Sequence, residues 1–151
     1  MTLRKTLALS SAALVAAAAL AAAQSPAATD AFKARHAAME QVGDAMKSLG
    51  AIAKKQAPFD AAVVQKSATT IDEKLGEASK SFTPGSDKVE KTRAKAEIWT
   101  NRADFDRLMG EARTAAGALA KVSDEAAYRP ALGALGQSCK SCHDMYRAPE
   151  N

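Results

Sequence analysis

Two cysteines and a histidine lie together near the end of this 151-residue chain, in the segment Cys139-Lys140-Ser141-Cys142-His143. Two thiols three residues apart, followed directly by an imidazole, form the attachment pattern of a c-type haem. Each thiol joins one vinyl group, so both must reach the same porphyrin edge, and residues three apart on a helix share a face. His143 projects from nearly the same side, where a ring nitrogen can bind iron. The pattern therefore predicts one covalently bound haem c per chain, with His143 as the proximal ligand.

Other interpretations of this motif explain less. A thioredoxin-like C-x-x-C is expected near a βαβ pattern, and the sequence has no convincing strand pattern. A structural zinc site normally needs four protein ligands, whereas this chain offers two cysteines and two histidines in all. A plain disulfide leaves the adjoining His143 unexplained.

Residues 1–23 have the three parts of a secretory signal peptide. Arg4 and Lys5 form a basic start, residues 7–22 are rich in Ala and Leu, and small residues suited to signal peptidase end the segment. An uncleaved membrane anchor would need about 20 strongly apolar residues, and this run is shorter and mostly alanine. We expect cleavage to leave residues 24–151 as one periplasmic haem domain with no stable membrane insertion.

Removal of the signal peptide also changes the charge balance. The full chain has 21 basic and 17 acidic residues. Loss of Arg4 and Lys5 leaves 19 basic against 17 acidic residues, a net charge of +2, and two haem propionates would offset much of it. Nucleic-acid binding needs a concentrated basic face, so we expect redox proteins as partners and no nucleic acid.

Four amphipathic stretches follow the signal peptide, each with apolar residues at alternating spacings of three and four. Asp30 is the predicted cap of the first helix and Asp60 that of the second, after a break at Pro58. The third helix is predicted to begin at about Glu90 or Lys95. Its apolar face contains Arg102, for which we expect a buried stem and a charged head in water.

The last helix carries the haem motif. Ser123 is a suitable start, but Pro130 argues that the regular part begins near Arg129 or Pro130. Its apolar face includes both cysteines of the motif, together with Leu132, Leu135 and Tyr146. The fold class predicted is all-α, an antiparallel up-down-up-down four-helix bundle with one covalently attached haem. Because only seven residues are aromatic, the core is thin, and we expect the apoprotein to be much less stable.

The chain resembles the class II cytochromes c, the cytochrome c′ family, which are standard examples of this bundle topology. The resemblance rests on C-x-x-C-H in the last of four helices, Arg35-x-x-x-Met39, Ile98-Trp99 and Tyr146-Arg147. It covers essentially the whole mature chain. The segment Leu49-Gly50-Ala51-Ile52-Ala53-Lys54 is similar to the low-spin members in particular.

The resemblance implies that Met39 faces the distal side of the haem. In low-spin members a methionine there binds the iron, which gives the His/Met ligation of an electron carrier. In high-spin members the distal position stays open and binds small gases such as nitric oxide, and some of these members also have a methionine there. We expect single-electron transfer with Met39 as distal ligand, and gas binding is the alternative.

Other side chains keep the ligand question open. Met46 lies on the same face as Met39, Met109 is a weaker candidate, and His36 comes one turn before Met39. By resemblance, Arg35 lies near the haem propionates, for which a guanidinium supplies paired donors. The family also permits a homodimer. The sequence has no nucleophile–base constellation, no G-x-S-x-G motif and no phosphate loop. We therefore expect that the protein is not an enzyme.

Overall fold

The computed structural model describes residues 25–150, so the predicted signal peptide lies outside the described part of the chain. No helix in that part is long and apolar enough to cross a membrane. Residues 25–150 form no strand, although one isolated antiparallel bridge joins Ala94 to Arg147. The described residues form five helices, α1 (Pro26–Ala53), α2 (Ala61–Ser79), α3 (Glu97–Thr100), α4 (Arg102–Leu119) and α5 (Glu125–Tyr146).

The first helix begins earlier than predicted. Ser25, not Asp30, is the N-cap of α1, because its hydroxyl accepts a hydrogen bond from the amide of Ala28 at 3.1 Å. Pro26 occupies the first helical position, where a missing N–H costs nothing and the fixed φ suits a helix. The predicted cap of α2 is confirmed, since Asp60 accepts from Ala62 N and Val63 N.

The third helix of the bundle is interrupted, contrary to the prediction of one helix from Glu90 or Lys95. The segment from 80 to 96 is irregular, and α3 is a single turn that ends at Asn101, where φ is −125° and ψ is 48°. The main helix α4 then starts at Arg102. Hydrophobic spacing continues through the interruption, so periodicity alone cannot detect it.

The last helix is longer than predicted and contains Pro130. Asp124 caps α5 by accepting from Ala127 N at 2.9 Å, and the helix begins at Glu125. Pro130 is exposed six positions into the helix, so its missing N–H removes a bond near the helix start and its ring faces solvent. The prediction of a regular start at Arg129 or Pro130 was therefore wrong.

The predicted four-helix bundle is confirmed. Consecutive long helices pack against each other, α1 on α2, α2 on α4 and α4 on α5. The short α3 precedes α4, against which it packs. At the far end of the bundle the Tyr128 hydroxyl donates to the Leu49 carbonyl and links α5 to α1. The core contains the apolar face of α2, namely Val64, Ala68, Ile71, Leu75 and Ala78.

Candidate haem-binding site

A cavity of about 530 Å³ separates α1 from the carboxyl-terminal half of α5. All five residues that the sequence predicts for the site border it. The wall formed by α5 contains the cysteine pair and the histidine, and the wall formed by α1 contains the predicted arginine and methionine. These residues are Cys139, Cys142, His143, Arg35 and Met39.

The two thiols lie side by side on α5, as the spacing predicts. Cys142 is buried and Cys139 half-buried, and both are free thiols. Burial raises the pKa of Cys139, and it raises the pKa of Cys142 to about 11, with smaller contributions from Cys139 and Asp104. Both thiols therefore stay protonated and neutral in this apolar wall at physiological pH.

His143 lies beside the thiols at the same edge. Partial burial lowers its pKa, and the cationic Arg147 and Arg93 lower it further. The imidazole is thereby kept neutral, which is the form that binds a metal. Within residues 25–150, no hydrogen bond from the protein reaches its ring.

The opposite side of the cavity is rich in thioethers. Met39 and Met46 from α1 are partly buried at the cavity, and Met109 from α4 is fully buried there. His36 lies at the rim, exposed, stacked on Phe32 with ring centroids 5.7 Å apart. The structure thus brings every candidate distal ligand to one cavity, with the three thioethers deeper than the imidazole.

Arg35 has a structural role that the sequence did not indicate. Its guanidinium is buried and donates to the carbonyl of Ser86 at 2.6 Å, the hydroxyl of Thr92 at 2.8 Å and the carbonyl of Ser81 at 3.2 Å. The same group lies 5.2 Å from the centroid of the Phe82 ring. Arg35 therefore ties α1 to the loop that closes one side of the cavity, and its contact with a propionate stays a prediction.

The sequence analysis also did not predict a second group of polar contacts, at the end of α5. The Tyr146 hydroxyl donates to Asp104 Oδ2 at 2.7 Å and accepts from Asn101 Nδ2 at 3.1 Å. Burial, then the hydrogen bond to Asp104, raises the pKa of Tyr146 to about 12. Hydrogen bonds from Arg107 and Tyr146 lower the pKa of Asp104. In the sequence Asp104 is an ordinary first-turn acid, and only the fold brings it to Tyr146.

The chain after α5 is held against the loop before α3. Lys95 N donates to the Tyr146 carbonyl at 3.0 Å, and Ala148 N donates to the Arg93 carbonyl at 2.8 Å. The Arg93 side chain donates back to the Ala148 carbonyl at 2.8 Å and pairs with Glu150. Arg93 and Glu150 also border the cavity, so these contacts form part of its wall near His143.

The donor set and the shape of the cavity fit a c-type haem. A cavity of this volume suits a cofactor-sized molecule, its walls are largely apolar, and two neighbouring thiols with an imidazole stand on one wall. Within the described residues, no cluster of three or more His, Cys, Asp or Glu side chains could hold a bare metal ion instead.

Comparison with known proteins gives one consistent family. The family profile described as Cytochrome C′ matches residues 30–147. Cytochrome c′ of Rhodopseudomonas palustris is 36% identical over 126 residues, which are 83% of this chain and 86% of that protein. A solved structure of cytochrome c′ from the same organism has a TM-score of 0.77 over 81% of this chain and 98% of that one.

Two further relatives match most of the chain. Cytochrome c-556 of Agrobacterium tumefaciens is 38% identical over 120 residues, or 76% of this chain and 91% of that protein. The nitric oxide complex of a mutant cytochrome c prime from Alcaligenes xylosoxidans is 30% identical, with a TM-score of 0.72 over 81% of this chain and 97% of that one.

Proposed function

The chain belongs to the cytochrome c′ family and carries its covalently attached haem c, and from this premise we propose that it binds small gases such as nitric oxide. In this proposal the iron has His143 as its one protein ligand and an open distal position. This is the alternative that the sequence left open. The cytochrome c′ relatives support it better than the His/Met electron carrier that we expected from the sequence.

The residues of α5 hold the cofactor. Cys139 and Cys142 would form the two thioether bonds, since both thiols face the cavity from one side of a helix. The imidazole of His143, kept neutral by burial and nearby cations, would bind the iron. When bound, the haem supplies an iron atom that takes up a small ligand or an electron.

The observation that carries the proposal is the apolar α1 wall of the cavity. Met39, Val42 and Met46 form the apolar part of this wall, Met109 extends it, and the polar side chains of Arg35 and His36 border the cavity beside it. A surface of aliphatic and thioether side chains disfavours water, so it favours small, neutral, weakly hydrated ligands. Nitric oxide has these properties, and it is the ligand in the structure of the Alcaligenes relative.

The second candidate function is electron transfer through a His143/Met39 iron. It is favoured by the position of Met39, whose side chain borders the same cavity as His143 from the opposite helix. A thioether ligand would raise the reduction potential and exclude gases. Met46 on the same helix could take this role instead.

The deciding experiment is optical and electron paramagnetic resonance spectroscopy of the purified holoprotein, ferric and ferrous, followed by titration with nitric oxide. We expect high-spin iron in the wild type, binding of nitric oxide, and an unchanged spin state in Met39→Ala. Met46→Ala, two turns along the same wall, is the matched control.

Each other outcome contradicts the proposal in a specific way. A low-spin wild type that becomes high-spin in Met39→Ala would establish Met39 as a ligand and support the electron carrier. Low spin that persists in that variant would indicate Met46 or His36. High-spin iron that takes up no nitric oxide would exclude the gas-binding function while leaving the haem site in place.

The proposed cellular location rests on the predicted signal peptide. Export through residues 1–23 and cleavage after Ala23 would place the mature haem protein in the periplasm, where redox proteins are its partners. The mass of the holoprotein from a periplasmic extract tests this, because it should equal residues 24–151 plus one haem. A mass that retains the first 23 residues would contradict it.

A further inference from the structure

The last turn of α5, which follows His143, is fixed to the start of α4 by three side chains that we call the tyrosine anchor: Asn101, Asp104 and Tyr146. Tyr146 is only 3% exposed and lines the cavity. Its ring packs edge-on against Phe105, with centroids 5.4 Å apart and an interplanar angle of 88°. Its hydroxyl donates one hydrogen bond and accepts another, so the side chain is held in a single position.

The anchor overrides a local preference of the sequence. Asn is among the best N-cap residues, and Asn101 occupies the N-cap of α4, yet its side chain makes no capping bond. The amide instead donates to the Tyr146 hydroxyl. The interruption between α3 and α4 lies at this residue. Such departures from local rules concentrate at functional sites.

The orientation of the His143 imidazole must be fixed by something other than a hydrogen bond to its ring. A metal-binding histidine is usually oriented by a hydrogen bond from its second ring nitrogen, and no residue in the described range 25–150 provides one. The backbone of its own turn is held instead, since Arg147 N donates to the His143 carbonyl and Lys95 N to the Tyr146 carbonyl. The direction of the imidazole therefore depends on the position of this turn.

We infer that the tyrosine anchor positions the proximal histidine: by holding the last turn of α5, it sets the angle of the His143 imidazole on the haem. The inference rests on the proposed role of His143 as proximal ligand. Tyr146 and Asp104 act through the helix and are positioning residues, not ligands. Because Arg107 pairs with Asp104 at 2.5 Å, the charge of this carboxylate is largely balanced, and geometry is its main contribution.

The test uses Tyr146→Phe, Asp104→Asn and the double variant, all as holoproteins. Hyperfine-shifted proton NMR of the ferric protein reports the angle of the imidazole through the haem methyl and histidine ring resonances, in either spin state. We expect both single variants to shift these resonances in the same pattern and to change the reduction potential in the same direction. The double variant should add little, because the two groups form one unit.

The matched control is Asp106→Asn, which removes a carboxylate from the same helix. Asp106 is half-exposed and pairs with Arg102 on the outer side of the bundle, so its loss should leave both readouts at wild-type values. If Tyr146→Phe takes up no haem, Asp104→Asn carries the test alone.

A merely structural role has a different signature. If both variants lower the melting temperature but keep wild-type resonances and potential, the inference is wrong. This outcome is independent of the proposed function, which depends on the spin state and nitric oxide binding of the wild type. A low-spin wild type with shifted resonances in the variants would contradict gas binding and still support the anchor.

Discussion

Arg35 shows how one buried cation can hold a loop that has little regular structure. Among residues 25–150, no carboxylate lies within hydrogen-bonding distance of the guanidinium. Burial lowers the pKa of Arg35, and the charge of Asp87 offsets part of that shift. Its compensation comes from neutral acceptors, above all the carbonyl of the fully buried Ser86. Charge-assisted bonds of this kind are about twice as strong as neutral ones.

Replacement of Arg35 by Met should destabilise the holoprotein by about 2–3 kcal/mol, because the carbonyl of Ser86 and the hydroxyl of Thr92 lose a charged donor inside the protein. Chemical denaturation measures the change. Lys33→Met, an exposed basic residue on the same helix, is the control and should change stability by less than about 0.5 kcal/mol. Equal stabilities for the two variants would show that the loop does not depend on Arg35.

Arg102 has a related role, in addition to the exposed position that the sequence predicts for its head. Its guanidinium does pair with Asp106, but it also donates to the carbonyls of Phe82 and Ser79. Together with Arg35 it holds both ends of the same loop. The side chains of these two arginines thus satisfy backbone carbonyls of this segment that a regular strand or helix would otherwise satisfy.

At the scale of whole elements, the end of α1 contains a residue in an unfavourable conformation. Lys55 follows the helix with φ of 58°, in the left-handed region, and its amide donates to the Ile52 carbonyl. Glycine is the usual residue at such a position because a side chain makes it costly. The turn between α1 and α2 therefore carries strain that one substitution can remove.

Lys55→Gly should stabilise the protein by about 1 kcal/mol, the difference between the relief of the left-handed strain and the extra freedom of glycine in the unfolded chain. Lys54→Gly is a close control: Lys54 has φ of −83°, so glycine there adds only unfolded-state entropy and should be neutral or destabilising. Thermal unfolding of both variants decides the point. A loss of stability in Lys55→Gly would contradict the strain argument.

Across the whole molecule, the bundle is built around a space rather than around a continuous core. The helices pack in the order α1, α2, α4, α5, and the cavity lies where α1 and α5 would close the ring. Their direct link is at the opposite end, between Tyr128 and Leu49. The cofactor therefore supplies the contacts that would otherwise have to come from large side chains.

Removal of the haem should weaken the whole bundle. The variant Cys139→Ser/Cys142→Ser, prepared without haem, is expected to melt at least about 10 °C below the holoprotein, roughly 3 kcal/mol for a domain of this size. Circular dichroism at 222 nm follows the transition. The same double variant reconstituted with non-covalent haem is the control and should recover part of the difference. An apoprotein as stable as the holoprotein would show that the bundle core suffices.

The sequence alone determined the attachment motif, the four helical segments and the composition of the site. C-x-x-C-H indicates haem attachment because the two covalent bonds require that spacing. The amphipathic helices can be predicted from local hydrophobic periodicity. For the same reason, the side of α5 that faces the cavity could be predicted from the positions of Cys139 and Cys142. These features depend on residues within one or two helical turns of each other.

Only the tertiary structure decided which distant groups meet. The hydrogen bonds of Arg35 span 46 to 57 residues, and the bond between Tyr146 and Asp104 spans 42. No local sequence pattern predicts such pairs. Their geometry depends on how all the helices and loops between the two residues are packed. The break at Asn101 belongs here too, since its amide bonds to a residue of another helix instead of capping its own.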